Sequence, residues 1–365
     1  MKNKSITSFE AIAFLVILSI SGIVLSTNKI MIQDCQSSSI LNALYILFLA
    51  FILTGILCIL HKKFSGQNLL DISNYVGGSF LKNIVGFVFI IYITFRIALF
   101  LRIIVTTLQT VYYPMTHILF ITAFFCLAAA LICNLKNSSL FKTNSFIFVV
   151  IFTCMLLIFI GNTKNYHFEN IYPLLGTGAK TTFLLGSTNI FSFCNLAYIF
   201  FLPPKLKDTK KFTKIVLISV ALSGLFLILC TANTIFLFSD TLTNSDIFPL
   251  YLSVRYIEFG TFFQRLDAVF LFLCALGFIS VLCFNTFLLT NILKDITGIS
   301  DDKPLILPCL FTIFDLSLIV KKDSTLDYLE NNVSKVIFII VSVIVPLFIL
   351  IIANIKKGYK HEKLS

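Results

Sequence analysis

Residues Phe9–Thr27 read FEAIAFLVILSISGIVLST, and residues Thr182–Leu202 read TFLLGSTNIFSFCNLAYIFFL. Each is long enough to cross a hydrocarbon layer of about 30 Å, which takes roughly 17–25 mostly apolar helical residues. Each is also interrupted by small polar residues where an unbroken span favours Leu or Ile: Ser19-Ile20-Ser21-Gly22-Ile23 in the first, Leu185-Gly186-Ser187-Thr188-Asn189 in the second. Breaks at corresponding places in two halves of a polytopic chain point to a central ligand site. The pattern predicts a carrier, or a sensor derived from one.

Eight further apolar stretches accompany these two: Ile40–Leu60, Ile84–Val111, Thr116–Cys133, Ser145–Asn162, Ile215–Phe238, Ala268–Leu289, Pro304–Val320 and Val336–Ile352. Only 12% of the 365 residues are charged, about half the share usual in soluble domains. Runs such as Ile215–Leu229 lack the polar–apolar alternation of barrel strands. The expected fold is therefore an all-α polytopic membrane protein of ten transmembrane helices. It forms one integral membrane domain over residues 1–365, arranged as a 5+5 inverted repeat of residues 9–162 and 182–352 with helices 1 and 6 discontinuous. The loop His61–Lys82 reads as an amphipathic segment lying along the headgroups.

The net charge of +11 invites a nucleic-acid reading until the charges are sorted by position. Of the 28 Lys and Arg, 18 fall in the six segments on the side of both termini, with Lys205, Lys207, Lys210, Lys211 and Lys214 the densest group. Positive-inside bias then places both termini in the cytoplasm, and no soluble basic domain remains to bind nucleic acid. The apolar stretch after Met1-Lys2-Asn3-Lys4 is too long and lacks the small-x-small site of a cleavable signal. Nine of ten Cys sit in or beside apolar stretches, Cys35 alone lies in an outer loop, and no Cys-x-x-Cys occurs; they read as small hydrophobes.

If the first and sixth stretches unwind, free N–H groups of half-helices face a carboxylate and free carbonyls face an ammonium. The candidate ligand-binding residues are then Ser21, Gly22 and Ile23 opposite Gly186, Ser187 and Asn189, with Ala98 and Leu99 on the third stretch and Ser280 and Phe284 on the eighth. In the other reading, Gly22 and Gly186 only permit close helix packing. Arg96 and Arg102 lie inside the third stretch, where a charge costs about 2.5–3.5 kcal/mol even on insertion scales. Asp315, the one acid well inside an expected span, is the expected partner of one of them. Arg102 and Asp315, with Arg255, Glu258, Arg265 and Asp267 of the outer loop, are candidate gating or structural charges. Gly176-Thr177-Gly178 lacks the Gly-Lys pair and preceding strand of a phosphate loop. The four His are scattered without metal-ligand spacing, and no catalytic set converges. Neither enzyme activity nor a metal or cofactor is expected.

Two longer motifs carry a resemblance. Phe168-Glu169-Asn170-Ile171-Tyr172-Pro173-Leu174-Leu175-Gly176-Thr177-Gly178 precedes the sixth stretch. Pro249-Leu250-Tyr251-x3-Arg255-x-Ile257, followed by Gln264-Arg265-Leu266-Asp267, precedes the eighth. With ten spans, these resemble the B subunit of GerA-type spore germinant receptors, the endospore germination permeases, within the amino acid–polyamine–organocation transporter superfamily. The resemblance implies a LeuT-like fold with helices 1 and 6 unwound about a central site, in the inner membrane of a dormant spore. It also implies a small germinant such as an amino acid, and partnership with an A subunit and a lipoprotein C subunit. Similar proteins often carry a Glu in the second half of helix 6, where this chain reads Phe193-Cys194-Asn195-Leu196. An active proton-coupled amino acid permease is the alternative.

Overall fold

The computed structural model describes residues 6–135, 137–238, 249–257, 266–299 and 301–362. The chain is nearly all helical: α1 Ser8–Gly22, α2 Asn28–Cys35, α3 Ser39–His61, α4 Leu69–Val111, α5 Ile118–Cys133, α6 Asn137–Gly161, α7 Phe212–Phe238, α8 Pro249–Arg255, α9 Leu266–Thr297, α10 Lys303–Ile319, α11 Asp323–Tyr328, α12 Ser334–Ile339 and α13 Val345–Glu362. Between α6 and α7, Lys180–Leu184 forms a π-turn and Leu185–Ala197 a 3₁₀ run. Among the described residues, seven helical segments are long and apolar enough to cross a membrane; Ile118–Cys133 is apolar but shorter.

Which face each helix hides follows from its period. On α3, Leu41, Leu44, Phe48, Ile52, Ile56 and Ile59 are exposed while Asn42, Ala43, Ile46, Ala50, Thr54 and Leu57 are buried. Spacings of three and four, with Asn42 and Ala43 adjacent on the buried side, set each series on one side of a 3.6-residue helix, and the large exposed apolar side is the one that suits lipid. In contrast, α1 is buried from Ala13 through Ile20. It is enclosed by α6, α7, α9 and the 185–197 run, so the first helix is the axis of the bundle.

Helix starts follow capping chemistry. Thr7 accepts from the Glu10 amide at 3.3 Å while Glu10 accepts from the Thr7 amide at 2.8 Å; Asn68 and Asp71 repeat the box at α4. The 61–82 segment is helical from Leu69, with Leu69, Leu70 and Ile72 buried. It turns into the long limb of α4 at Gly77-Gly78, where Gly78 takes φ 69°, open to glycine without the Cβ penalty.

The first helix departs from expectation. Gly22 and Ile23 keep right-handed helical angles, φ/ψ −65°/−43° and −61°/−46°. Ile23–Thr27 widens into a π-turn, with the Asn28 amide bonded to the Ile23 carbonyl, and the helix then runs on to Cys35. Helix 1 is thus wound with one surplus residue rather than broken, and Gly22 packs directly against Phe100 and Cys194. The sixth segment is irregular, as expected, but its non-helical residue is Phe193, φ −92° and ψ 49°, rather than Gly186-Ser187. Cys35 is the last residue of α2 and fully buried, not part of an exposed loop. All ten cysteines are free.

Contacts close both ends of the bundle. At the Cys35 end, Gly176 takes φ 43°, and a Cβ there would meet the Cys35 carbonyl at 2.7 Å; Ser37 donates to the Pro173 carbonyl at 2.7 Å. The Gly-Thr-Gly loop is a packing turn. At the other end Ile6 and Leu206 form an isolated parallel bridge, and Lys205 Nζ lies 3.8 Å from the Phe287 ring centre. Burial lowers the Lys205 ammonium from its ordinary 10.5 to about 8. The unfolded chain therefore holds this proton across that window, and stability rises with pH between them. Thermal unfolding of wild type should accordingly gain on Lys205→Met as pH is raised from 8 to 10; parallel curves would show no such burial cost.

A Cβ on Gly186 would collide with Asn42 Nδ2, whereas one on Gly55 meets nothing within 4 Å. Gly186→Ala is expected to destabilise by about 1–3 kcal/mol through overpacking, and Gly55→Ala to be neutral or stabilising by up to about 1 kcal/mol, both read as shifts in unfolding midpoint.

Candidate functional site

The centre of the bundle holds a buried ion pair. Arg96, midway along the long limb of α4, donates through Nη1 to Glu330 Oε2; their side chains are 3% and 4% exposed. Ser26 donates to Glu330 Oε1 at 2.7 Å and Ser334 sits 3.4 Å from Oε2. The guanidinium carbon lies 3.9 Å from the Phe100 ring centre and 4.2 Å from that of Phe191, so two aromatic faces contribute cation–π attraction to the charge. Arg96 Nε and Nη2 are buried without a hydrogen-bond partner among the described residues.

Three elements deliver these groups, and two are π-turns. Ser26 lies in Ile23–Thr27 and Glu330 in Leu329–Val333, the turn joining α11 to α12. Such turns recur at functional sites because the extra residue redirects side chains. A second polar tie links the same helices: Lys335 Nζ donates to Asp34 Oδ2 at 2.7 Å.

The pair lies between two voids. One, of about 250 Å³, extends from Ser26, Ile103 and Glu330 up to Gln33 and Thr110, and carries Lys29, Thr106, Thr107, Asp327 and Asn331 on its walls. It is smaller than the roughly 300–1,000 Å³ of drug-sized sites and suits a small polar solute. The other, of about 10 Å³, is bounded by Leu18, Arg96, Phe100, Cys194, Tyr198 and Asn285, about one water in size. Its polar walls are already ordered: Tyr198 donates to Asn285 Oδ1 at 2.8 Å and Cys194 to the Leu18 carbonyl at 3.2 Å.

The residues singled out from sequence do not share one cavity. Gly22 meets Phe100 and Cys194, while Gly186 meets Asn42 and the Thr181 carbonyl, so the two glycines sit in different contacts. Asn42 donates to the Thr182 carbonyl at 2.7 Å and accepts from Asn189 at 3.2 Å, which ties the sixth segment to α3. Ser187 turns back on the Leu184 carbonyl at 2.7 Å. Ser21 borders a small apolar void of about 30 Å³ between α1, α6 and α9. Ile23, Ala98 and Leu99 are buried but line neither void at the ion pair. Ser280 donates to Asn144 at 2.8 Å, and the Phe284 ring packs 4.6 Å from Phe14 and 5.0 Å from Phe141.

Among the charges, one expected pairing differs. Asp315 is exposed on α10 and is not the partner of Arg96, which pairs with Glu330. Glu330 escaped the span assignment because Glu330-Asn331-Asn332 depresses hydropathy ahead of Val336. The available signal was periodic: Leu326, Glu330, Ser334, Phe338 and Val341 recur every three or four residues and are all buried, so the helix continues above the apolar window. Arg102 is half-buried, and Arg255 is exposed at the end of α8. Asp267 accepts from Tyr112 at 3.1 Å and Tyr251 at 3.2 Å, joining the end of α4, α8 and the start of α9. Burial foremost, then Tyr251 and Asp267, push the Tyr112 phenol above its ordinary range. Glu258 and Arg265 lie outside the described residues.

A central charged pair under a small cavity, in a bundle whose axis is its first helix, suits a solute carrier scaffold, and comparison with known proteins agrees. Residues 5–326 match the model of a spore germination protein family of permeases. The chain belongs to this family. Solved structures similar to it include a substrate-bound, outward-open Na⁺-coupled sialic acid symporter, 12% identical with TM-score 0.62, over 93% of this chain and 79% of that one. A point mutant of the Eremococcus coleocola manganese transporter is 15% identical with TM-score 0.57, over 93% of this chain and 78% of that one. Both are LeuT-fold transporters, and at these identities the likeness is one of fold. No curated protein matches the chain.

Removing one member of the pair leaves the other buried and unpaired, at a cost of about 3–5 kcal/mol, whereas removing both can be nearly neutral. Arg96→Met and Glu330→Leu are each expected to lower stability by that order, and the double variant to recover most of it. Asp315→Asn should have no effect in the same denaturation series.

Proposed function

We propose that this family member is the permease-like B subunit of a spore germinant receptor, binding a small polar germinant such as an amino acid midway through the membrane. Its ten helices form a 5+5 inverted repeat with both termini cytoplasmic, in the spore inner membrane, and the occupied state is passed to an A subunit and a C lipoprotein. The observation that carries this reading is the cavity of about 250 Å³ whose floor is the buried carboxylate of Glu330. It offers a hydroxyl-rich wall from Thr106, Thr107 and Thr110, with Lys29 and Asp327 as opposite charges.

Signalling follows if the ligand prefers one arrangement of the helices around that cavity, since differential affinity sets the population shift. The first helix is suited to report occupancy, because Ser26 touches Glu330 while the rest of the helix forms the core. The family match and the transporter-like fold support a permease-like role. A proton-coupled amino acid permease is the second reading, favoured by the buried Glu330 carboxylate that faces the cavity.

Thermal unfolding of the purified chain against the proteinogenic amino acids tests the site. A ligand at 100 times its Kd adds about 2.7 kcal/mol of stability, and Thr106→Phe, which fills the cavity, should abolish the shift while leaving the unliganded midpoint nearly unchanged. Proton-driven uptake of the same ligand into liposomes decides for the permease; binding without flux decides for the sensor.

A further inference from the structure

We infer that Arg96 and Glu330 are the residues that select the ligand, and that they do so by exchanging their ion pair with each other for two ion pairs with a zwitterion. The inference rests on the cavity above being the ligand site. Four observations carry it. The pair separates the two voids, with Glu330 facing the larger and Arg96 the smaller. Arg96 binds Glu330 through Nη1 alone, leaving two buried donors, Nε and Nη2, without a hydrogen-bond partner among the described residues. Ser26 and Glu330 are both held on π-turns. Helix 1 retains its backbone hydrogen bonds through Gly22 and Ile23, so free main-chain N–H groups are not presented there to a carboxylate.

The physical reason for selection is the cost of an uncompensated buried charge. Parting Arg96 from Glu330 in a water-poor interior is strongly unfavourable unless both are paired again. A lone anion re-pairs Arg96 and strands Glu330; a lone cation does the reverse; a neutral polar solute strands both. A zwitterion satisfies both, its carboxylate accepting from the guanidinium, which is built for two-point recognition of a planar anion, and its ammonium donating to Glu330. Ser26 and Ser334, already within reach of the carboxylate, keep Glu330 oriented during the exchange. Lys29 and Asp327 on the cavity wall present the same two signs.

The test uses the full chain in lipid nanodiscs and thermal unfolding with four probe classes. These are the proteinogenic amino acids; the analogue of each stabilising amino acid lacking the carboxylate, and the one lacking the amine (for alanine, ethylamine and propionate); and inosine and glucose as neutral polar solutes. At least one amino acid is expected to stabilise the chain, with each one-charge analogue at least tenfold weaker. Glu330→Gln leaves Arg96 charged and unpaired, so the carboxylate-only analogue should now bind at least as well as the amino acid; Arg96→Gln should give the mirror result with the amine. A merely structural pair does not predict this inversion, and if neither variant folds, the wild-type analogue series still decides. Equal stabilisation by a one-charge analogue, or by inosine or glucose, overturns pair exchange while retaining the cavity as a binding site. Absence of stabilisation by every probe overturns the binding reading itself.

Discussion

A guanidinium and a carboxylate held out of water at the middle of a hydrophobic bundle constrain nearly everything around them. Arg96 and Glu330 come from helices far apart in the chain, so their pairing fixes how α4 and the last helical run cross. Phe100 and Phe191 complete the enclosure with aromatic faces, and Ser26 brings the first helix to the same point. The apolar residues that make the chain a membrane protein supply bulk and length. The pair supplies registry, because a slip of one helix past another would strand a charge in a medium that cannot solvate it.

The remaining buried polar contacts act in the same way on a smaller scale. Asn42 reaches across to the Thr182 carbonyl and Asn189, Tyr198 to Asn285, and Ser280 to Asn144. In lipid there is little hydrophobic reason for one apolar helix to prefer another, so small residues and interhelical hydrogen bonds decide who packs against whom. Gly22 against Phe100 and Gly186 against Asn42 are the matching close approaches. Gly22 and Gly186 serve packing in this structure, while Ser26, further along the first segment, lines the void at the centre.

Fold class was legible because it depends on length and polarity, which hydropathy reads directly. The apolar helices follow from run length and the low share of charge; the burial of the first helix and the caps at Thr7 and Asn68 emerge only from the structure. The site was less legible. Arg96 announced that an acid must lie nearby, but the obvious acid, Asp315, sits at an exposed position of α10. The true partner was hidden by its own polarity, since Glu330 lies among Asn residues that make the last helix look as if it begins later. Ser21-Gly22 lies just before the widened turn of helix 1: a glycine beside small polar residues is compatible with an unwound turn and with a widened one, and the sequence of one helix does not distinguish them.

The widened turns have a mechanical implication. A π-turn stores one residue more than the regular spiral needs, and that excess can migrate one position along the helix while both helix ends stay where they are. Each such step swings one side chain through about 100°. Because Ser26 and Glu330 ride on two of these turns and touch each other, a one-residue migration of either turn would re-aim a group on the cavity floor without displacing whole helices.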